Sequence, residues 1–188
     1  MRFFDYENRK PKWVWLLKKE DSITYYVFVF RIHKRVAYIY SGVQGKIAEK
    51  SKIQSENFVP IDAKLNEFLD KKNMDGYEKQ SNVLTPVEFY FSKILEKTEE
   101  EFEFFKDNFW DFVDDLNELL FFKGLAANEG FLEIKENAFI MQLFLFDRNI
   151  SANLIKTHLE KYCVDFNFKI NSNILEQIVS GHNKIVVF

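Results

Sequence analysis

Arg35-Val-Ala-Tyr-Ile-Tyr-Ser-Gly-Val-Gln-Gly-Lys46 decides how the rest of the chain is read. Its first six residues read as a strand antiparallel to Thr24-Tyr-Tyr-Val-Phe-Val-Phe30 just upstream, and Ser41, Gly42 and Gly45 turn the chain at its end. Arg31, His33, Lys34 and Arg35 fall at the hairpin end between the two strands. Nearly every position from Tyr25 to Phe30 is apolar, and a strand apolar on both sides is covered on both. One cover is the amphipathic helix Ala63-Lys-Leu-Asn-Glu-Phe-Leu-Asp-Lys-Lys72, which stops at Asn73 to Gly76. Trp13-Val-Trp-Leu-Leu17 is a first strand behind a polar arm from Tyr6 to Lys12. Lys46 to Lys52 is a further polar strand, and Ser55 to Asp62 is a loop leading into the helix.

Beyond residue 80 the pattern changes. Thr85-Pro86-Val87-Glu88 has the spacing of a capping box with proline at the first helical position. Apolar residues then recur at helical spacing to Phe122, with Gly124 as the stop. The stretch is one long helix or two broken near Thr98 or Asp107, and its length favours a pair. Phe131–Lys135 and Ala138–Phe146 read as a hairpin turning at Glu136-Asn137. Ser151 caps a helix through Tyr162, and Val164 to Ile170 alternates as a half-buried strand. Asn173–Val179 is a short helix stopping at Gly181, and Lys184–Phe188 is a last strand. The expected class is α+β: an N-terminal antiparallel sheet with one helix over residues 1–80, and over 81–188 a long helix or helical pair followed by a mostly antiparallel sheet with two short helices.

The 188 residues include 22 Phe, only 6 Gly and 3 Pro, so core material is ample and a low-complexity linker is excluded. No apolar run approaches the ~18 residues a membrane-spanning helix needs, and residues 1–5 lack the apolar region of a signal peptide, so a cytoplasmic location is expected. The single cysteine, Cys163, forms no intramolecular disulfide and no cysteine-based metal cluster. The net charge of −3 conceals a division: residues 1–80 carry 16 Lys/Arg against 11 Asp/Glu, and residues 81–188 carry 10 against 18. That division suits a basic half meeting an anion, or two halves whose charges attract each other.

The order strand, strand, glycine turn, strand, helix, Gly-Tyr-Glu resembles the WGR domain, a small nucleic-acid-binding module known from poly-ADP-ribose polymerases and many bacterial proteins. The resemblance covers residues 12–79. Tyr25-Tyr26 stands at the family's aromatic pair, Tyr40 at the signature Trp, Ser41 at the Gly and Gly42 at the Arg. Gly45 and Lys46 follow at its Gly-x-x-Gly-Gln turn, and Gly76-Tyr77-Glu78 matches the closing Gly-Tyr-Glu. The signature arginine, which in the family helps contact nucleic acid or a neighbouring domain, is replaced by a glycine that offers neither a bidentate phosphate contact nor a stacking cation.

Candidate chemistry is sparse. Gly42-Val-Gln-Gly45 lacks the Lys-Ser/Thr of a phosphate-binding loop and reads as a turn. The three histidines, His33, His158 and His182, have no metal-ligand spacing, and no dinucleotide fingerprint or serine elbow is present. A non-enzymatic protein without cofactor or metal is expected. Glu100, Glu103, Asp107, Asp111, Asp114, Asp115 and Glu118 fall opposite the apolar stripe of their helix, as a solvated face or a surface for a protein partner with a basic surface. Such a partner suits an immunity-type toxin inhibitor or an adaptor. The alternative is nucleic-acid binding through Arg31, Lys34, Arg35 and Lys46, with Trp13, Trp15, Tyr38 and Tyr40 as stacking platforms or, alternatively, as buried core.

Overall fold

The computed structural model describes residues 12–33, 35–55, 61–80, 85–92, 98–135, 138–165 and 167–188. The chain divides into two compact units. The first comprises Met1–Val83 with Phe122–Gly124, and the second comprises Leu84–Phe121 with Leu125–Phe188. The polar arm before Lys12, Lys34, the loop at 56–60 and the turn at Glu136-Asn137 lie outside the described residues.

In the first unit, β1 (Lys12–Glu20), β2 (Ile23–His33), β3 (Val36–Val43) and β4 (Glu49–Gln54) follow one another, then α1 (Asp62–Met74) and the two-residue β5 (Glu78–Lys79). They form one antiparallel sheet in the order β4-β3-β2-β1-β5. The strand read from Arg35 to Tyr40 runs on through Gly42 to Val43, so the turn begins at Gln44. Because side chains alternate across a strand, β2 supplies both faces. Val27 and Val29 join Leu16, Ala37, Ile39 and Ile61 in a buried aliphatic cluster, against which Leu65, Phe68 and Leu69 of α1 pack. Tyr26, Phe28 and Phe30 point the other way, in register with Leu17, Trp15 and Trp13 of β1 and with Gly42, Tyr40 and Tyr38 of β3. The helix ends as expected: Lys71 and Lys72 lie in its last turn, and Gly76 takes a positive φ of 87°.

The second unit contains β6 (Val87–Phe91), α2 (Glu99–Phe122, its last residue in the first unit), β7 (Ala126–Lys135), β8 (Ala138–Leu145), α3 (Arg148–Asp165), α4 (Ile174–Val179) and β9 (Lys184–Val186). Its sheet runs β7-β8-β6-β9, antiparallel except for the parallel β6–β9 pair. A phenylalanine-rich core, including Phe89, Phe91, Phe105, Phe109, Phe112 and Phe139, joins β6 and β8 to α2, α3 and α4.

The strand expected at Lys46–Lys52 is β4 at Glu49–Gln54, with Lys46 to Ala48 outside it. The helix read from Thr85 to Phe122 begins only after Thr98, and the predicted helical pair is one strand and one helix. Val87, Phe89 and Phe91 alternate with Glu88 and Tyr90, and this period of two is satisfied by pairing with β8 on one side and β9 on the other. The capping box forms one motif later: Thr98 N donates to Glu101 Oε2 at 3.1 Å, and Glu101 N donates to Thr98 Oγ1 at 3.3 Å.

α3 starts at Arg148, before the Ser151 expected to cap it. Its first turn is closed by Asp147, whose Oδ1 accepts from Ile150 N at 3.0 Å, whereas Ser151 is buried inside the helix with its hydroxyl on the Asp147 carbonyl.

The strand expected at Val164–Ile170 is absent among its described residues. Val164 and Asp165 continue α3, leaving Val164 75% exposed. Asn167 at φ 56° ends the helix, with Phe168 N donating to Cys163 O at 3.0 Å in the manner of a Schellman motif. Phe168 then stacks on Phe188 at 4.2 Å. The signal missed was the αL tolerance of asparagine.

Candidate functional site

The acidic face of α2 follows from the period of the helix. At 100° per residue, Glu100, Glu103, Asp107, Asp111, Asp114, Asp115 and Glu118 fall within an arc of roughly 120°, and all seven are exposed. The opposite side holds Phe105, Phe109, Phe112, Val113, Leu116 and Leu120, all buried. Core packing therefore fixes which way the carboxylates face. Lys106 reaches in from the flank to Glu103 at 3.0 Å, an exposed i,i+3 pair of small energetic weight. Phe104 lies inside the acidic arc and is 61% exposed, with Glu100 and Asp107 one turn away on either side. At ~1.5 Å per residue the seven carboxylates extend over about 27 Å, the length of an interface strip rather than of a small-molecule site.

Of the basic residues that are described, Arg31 and Arg35 lie at one end of β3 and Lys46 at the other. Arg31 forks onto Asp62 at the start of α1, with Nη1 on Oδ1 and Nη2 3.3 Å from Oδ2, which pins the end of β2 to the helix. Arg35 is exposed one residue before the start of β3, and Lys34 lies outside the described residues. Lys46 sits beyond the other end of β3, eight residues away in strand length, or roughly 25 Å. Of the aromatics considered as stacking platforms, Trp15 and Tyr40 are buried, and Trp13 and Tyr38 are half-buried. Trp15 packs on Phe28 with ring centroids 4.5 Å apart. The core reading holds for the two buried rings.

Several further arrangements depend on how side chains are placed in space, which residue spacing alone does not give. Lys50 lies over both Tyr38 and Tyr40, at 5.1 and 5.6 Å from the ring centroids. Lys72 and Lys18 lie over Tyr77, at 5.1 and 5.9 Å. On β6, Glu88 accepts from Tyr90 Oη at 2.7 Å and from Gln142 Nε2 at 2.9 Å, so both carboxylate oxygens are engaged within the sheet. Ser180 Oγ is 2.9 Å from His182 Nδ1, but the hydroxyl donates to Glu176 O at 2.6 Å. With the hydroxyl on the Glu176 carbonyl, the matching histidine tautomer donates from Nδ1, and in that arrangement the serine has no base. Cys163 is buried, and burial pushes its thiol up to about 12, far from a reactive thiolate. His158 is pushed below its ordinary value by burial first and by Lys161 second, with Asp115 opposing.

Among the described residues no three His, Cys, Asp or Glu side chains converge as a metal-holding group, and no helix is long and apolar enough to cross a membrane. Comparison of the chain with protein-family models, curated proteins and solved structures returns no match.

Proposed function

We propose that this chain is a non-enzymatic cytoplasmic binding protein that engages a protein partner with a basic surface through the outer face of α2. The observation that carries this reading is the seven exposed carboxylates on one arc with Phe104 among them. Such an arc steers a basic partner and orients it, while an aromatic inside a charged rim has the make-up of an interface anchor. An immunity-type inhibitor covering a basic toxin surface and an adaptor are two forms of this reading. The WGR-like reading of residues 12–79 is supported by the element order, with α1 packed on the sheet and Gly76-Tyr77-Glu78 leading into β5. The alternative, nucleic-acid binding by the basic half, has less support because Arg31 is engaged by Asp62 and Lys46 lies at the far end of β3.

The test is affinity capture from a lysate of the native host, comparing the wild type with Asp107→Lys, Asp111→Lys and Asp115→Lys combined. A protein retained by the wild type, released by raised salt and lost in the triple variant is the expected outcome. A retained protein indifferent to the reversal, or no reproducible protein at all, defeats the reading. Fluorescence anisotropy with short mixed DNA and RNA supplies the second arm. A signal that falls steeply with salt and disappears in Lys34→Glu/Arg35→Glu moves the function to the basic half.

A further inference from the structure

Phe122, Lys123 and Gly124 belong to the first unit although the residues on either side belong to the second. All three of their carbonyls are taken up by one short segment of the first unit and one buried tyrosine. Phe122 O accepts from Tyr26 Oη at 2.9 Å and from Ala48 N at 2.9 Å. Lys123 O accepts from Gly45 N at 2.9 Å, and Gly124 O accepts from the buried Gln44 Nε2 at 3.0 Å. The turn that presents these donors is braced independently, with Gln44 N on Thr24 O at 2.8 Å and Lys46 N on Val43 O at 3.0 Å.

Side-chain fit adds selection to this main-chain recognition. The Phe122 ring meets Tyr40 edge-on with centroids 5.6 Å apart. At Gly124, φ is +63°, and a Cβ would come within 2.6 Å of the Tyr26 ring, whose residue is fully buried. The middle residue contributes only its carbonyl and a long 3.5 Å approach of Lys123 Nζ to Gly45 O. Peptide-binding sites work in this way, with main-chain bonds giving affinity and pockets giving specificity. Burial pushes the Tyr26 phenol up to about 12, so it remains a donor across the physiological range.

We propose that Tyr26, Tyr40 and the Gln44–Ala48 turn form a peptide-binding site for an aromatic–x–glycine segment, occupied in cis by Phe122–Gly124 as a strap that detaches without unfolding the sheet. This inference is independent of the partner proposed for α2. Gly45 N and Ala48 N find their acceptors on the strap, so their exchange with solvent reports its docking.

The experiment is amide hydrogen exchange by NMR on the full chain, in the wild type, Gly124→Ala and Tyr26→Phe. In Gly124→Ala the Gly45 and Ala48 amides exchange at least about tenfold faster, while Val27 and Val29 keep wild-type protection. Tyr26→Phe retains the ring and loses one donor, giving a smaller acceleration of about two- to tenfold at the same two amides. A soluble peptide, acetyl-Glu-Phe-Lys-Gly-Glu-amide at millimolar concentration, restores their protection in whichever variant has opened, and the version with Ala for Gly does not. Unchanged exchange at Gly45 and Ala48 in both variants overturns the proposal. So does joint loss at Val27 and Val29 in Tyr26→Phe, or failure of the glycine peptide to restore protection.

Discussion

The two faces of the first sheet come from the same strands yet are built on different principles. One face is aliphatic: Leu16, Val27, Val29, Ala37 and Ile39 under Ile61 and the half-buried Leu65, Phe68 and Leu69. The other is aromatic, with Phe28 as its hub. Its ring lies 4.5 Å from Trp15, 6.2 Å from Trp13, 6.3 Å from Phe30 and 6.4 Å from Tyr40. Aliphatic groups gain from burial in almost any orientation, whereas aromatic pairs favour particular angles and bring polar atoms that need partners. Adjacent residues on β2 should therefore differ in what they tolerate. Volume should govern at Val27 and Val29, and shape together with hydrogen bonding at Tyr26 and Phe28.

The strongest way to break the contrast is truncation on the aromatic side. Trp15→Ala removes a fully buried indole and should cost about 3–5 kcal/mol in a chemical denaturation series. Gly124→Ala follows, at roughly 2–3 kcal/mol, since it combines an αL penalty with a close approach to the Tyr26 ring. On the aliphatic side, Leu16→Met conserves volume and should cost less than about 1.5 kcal/mol in the same assay. A cost equal to that of Trp15→Ala would mean the aliphatic face is as shape-specific as the aromatic one. Tyr26→Phe should cost about 1 kcal/mol, the worth of its bond to Phe122 O, and an unchanged stability would reduce that hydroxyl to decoration.

The smallest effect serves as a control from the second unit, which neither face should govern. The folded His158 holds its proton less tightly than the unfolded chain does, so the unfolded state binds more protons as acid is added. The contribution is complete above the ordinary value of 6.5 and is lost as pH falls through the lowered value. His158→Gln should flatten that part of the stability–pH curve. An unaltered curve would show that another group carries the slope.

What could be read in advance tracks how local its cause is. The β2–β3 hairpin, α1 and the start and stop of α4 follow from residues within a few positions of one another. Thr85-x-x-Glu88 and Thr98-x-x-Glu101 carry the same capping signature, and only the second caps a helix. What separates them is the partnership of Val87, Phe89 and Phe91 with β8 and β9, which the local spacing does not contain. On the candidate surface, the seven acidic positions were legible because the helical period alone sets their side. The fork of Arg31 on Asp62 and the seat of Phe122–Gly124 were not, since each joins segments far apart in the chain.

The placement of β6 has a consequence for the order in which the protein can be made. This strand precedes every other strand of its sheet in the sequence but ends up between β8 and β9, with Glu88 opposite Gln142 on one side and Lys184 on the other. During synthesis from the N-terminus, Val87-Glu-Phe-Tyr-Phe91 emerges long before either neighbour exists, as an apolar, β-prone segment with both edges open. The first unit waits as well, though less long, because Phe122–Gly124 must be translated before the Gln44–Ala48 turn is filled. The second sheet cannot be completed in step with the ribosome, because β6 is covered on its two edges only once β8 and β9 have been made.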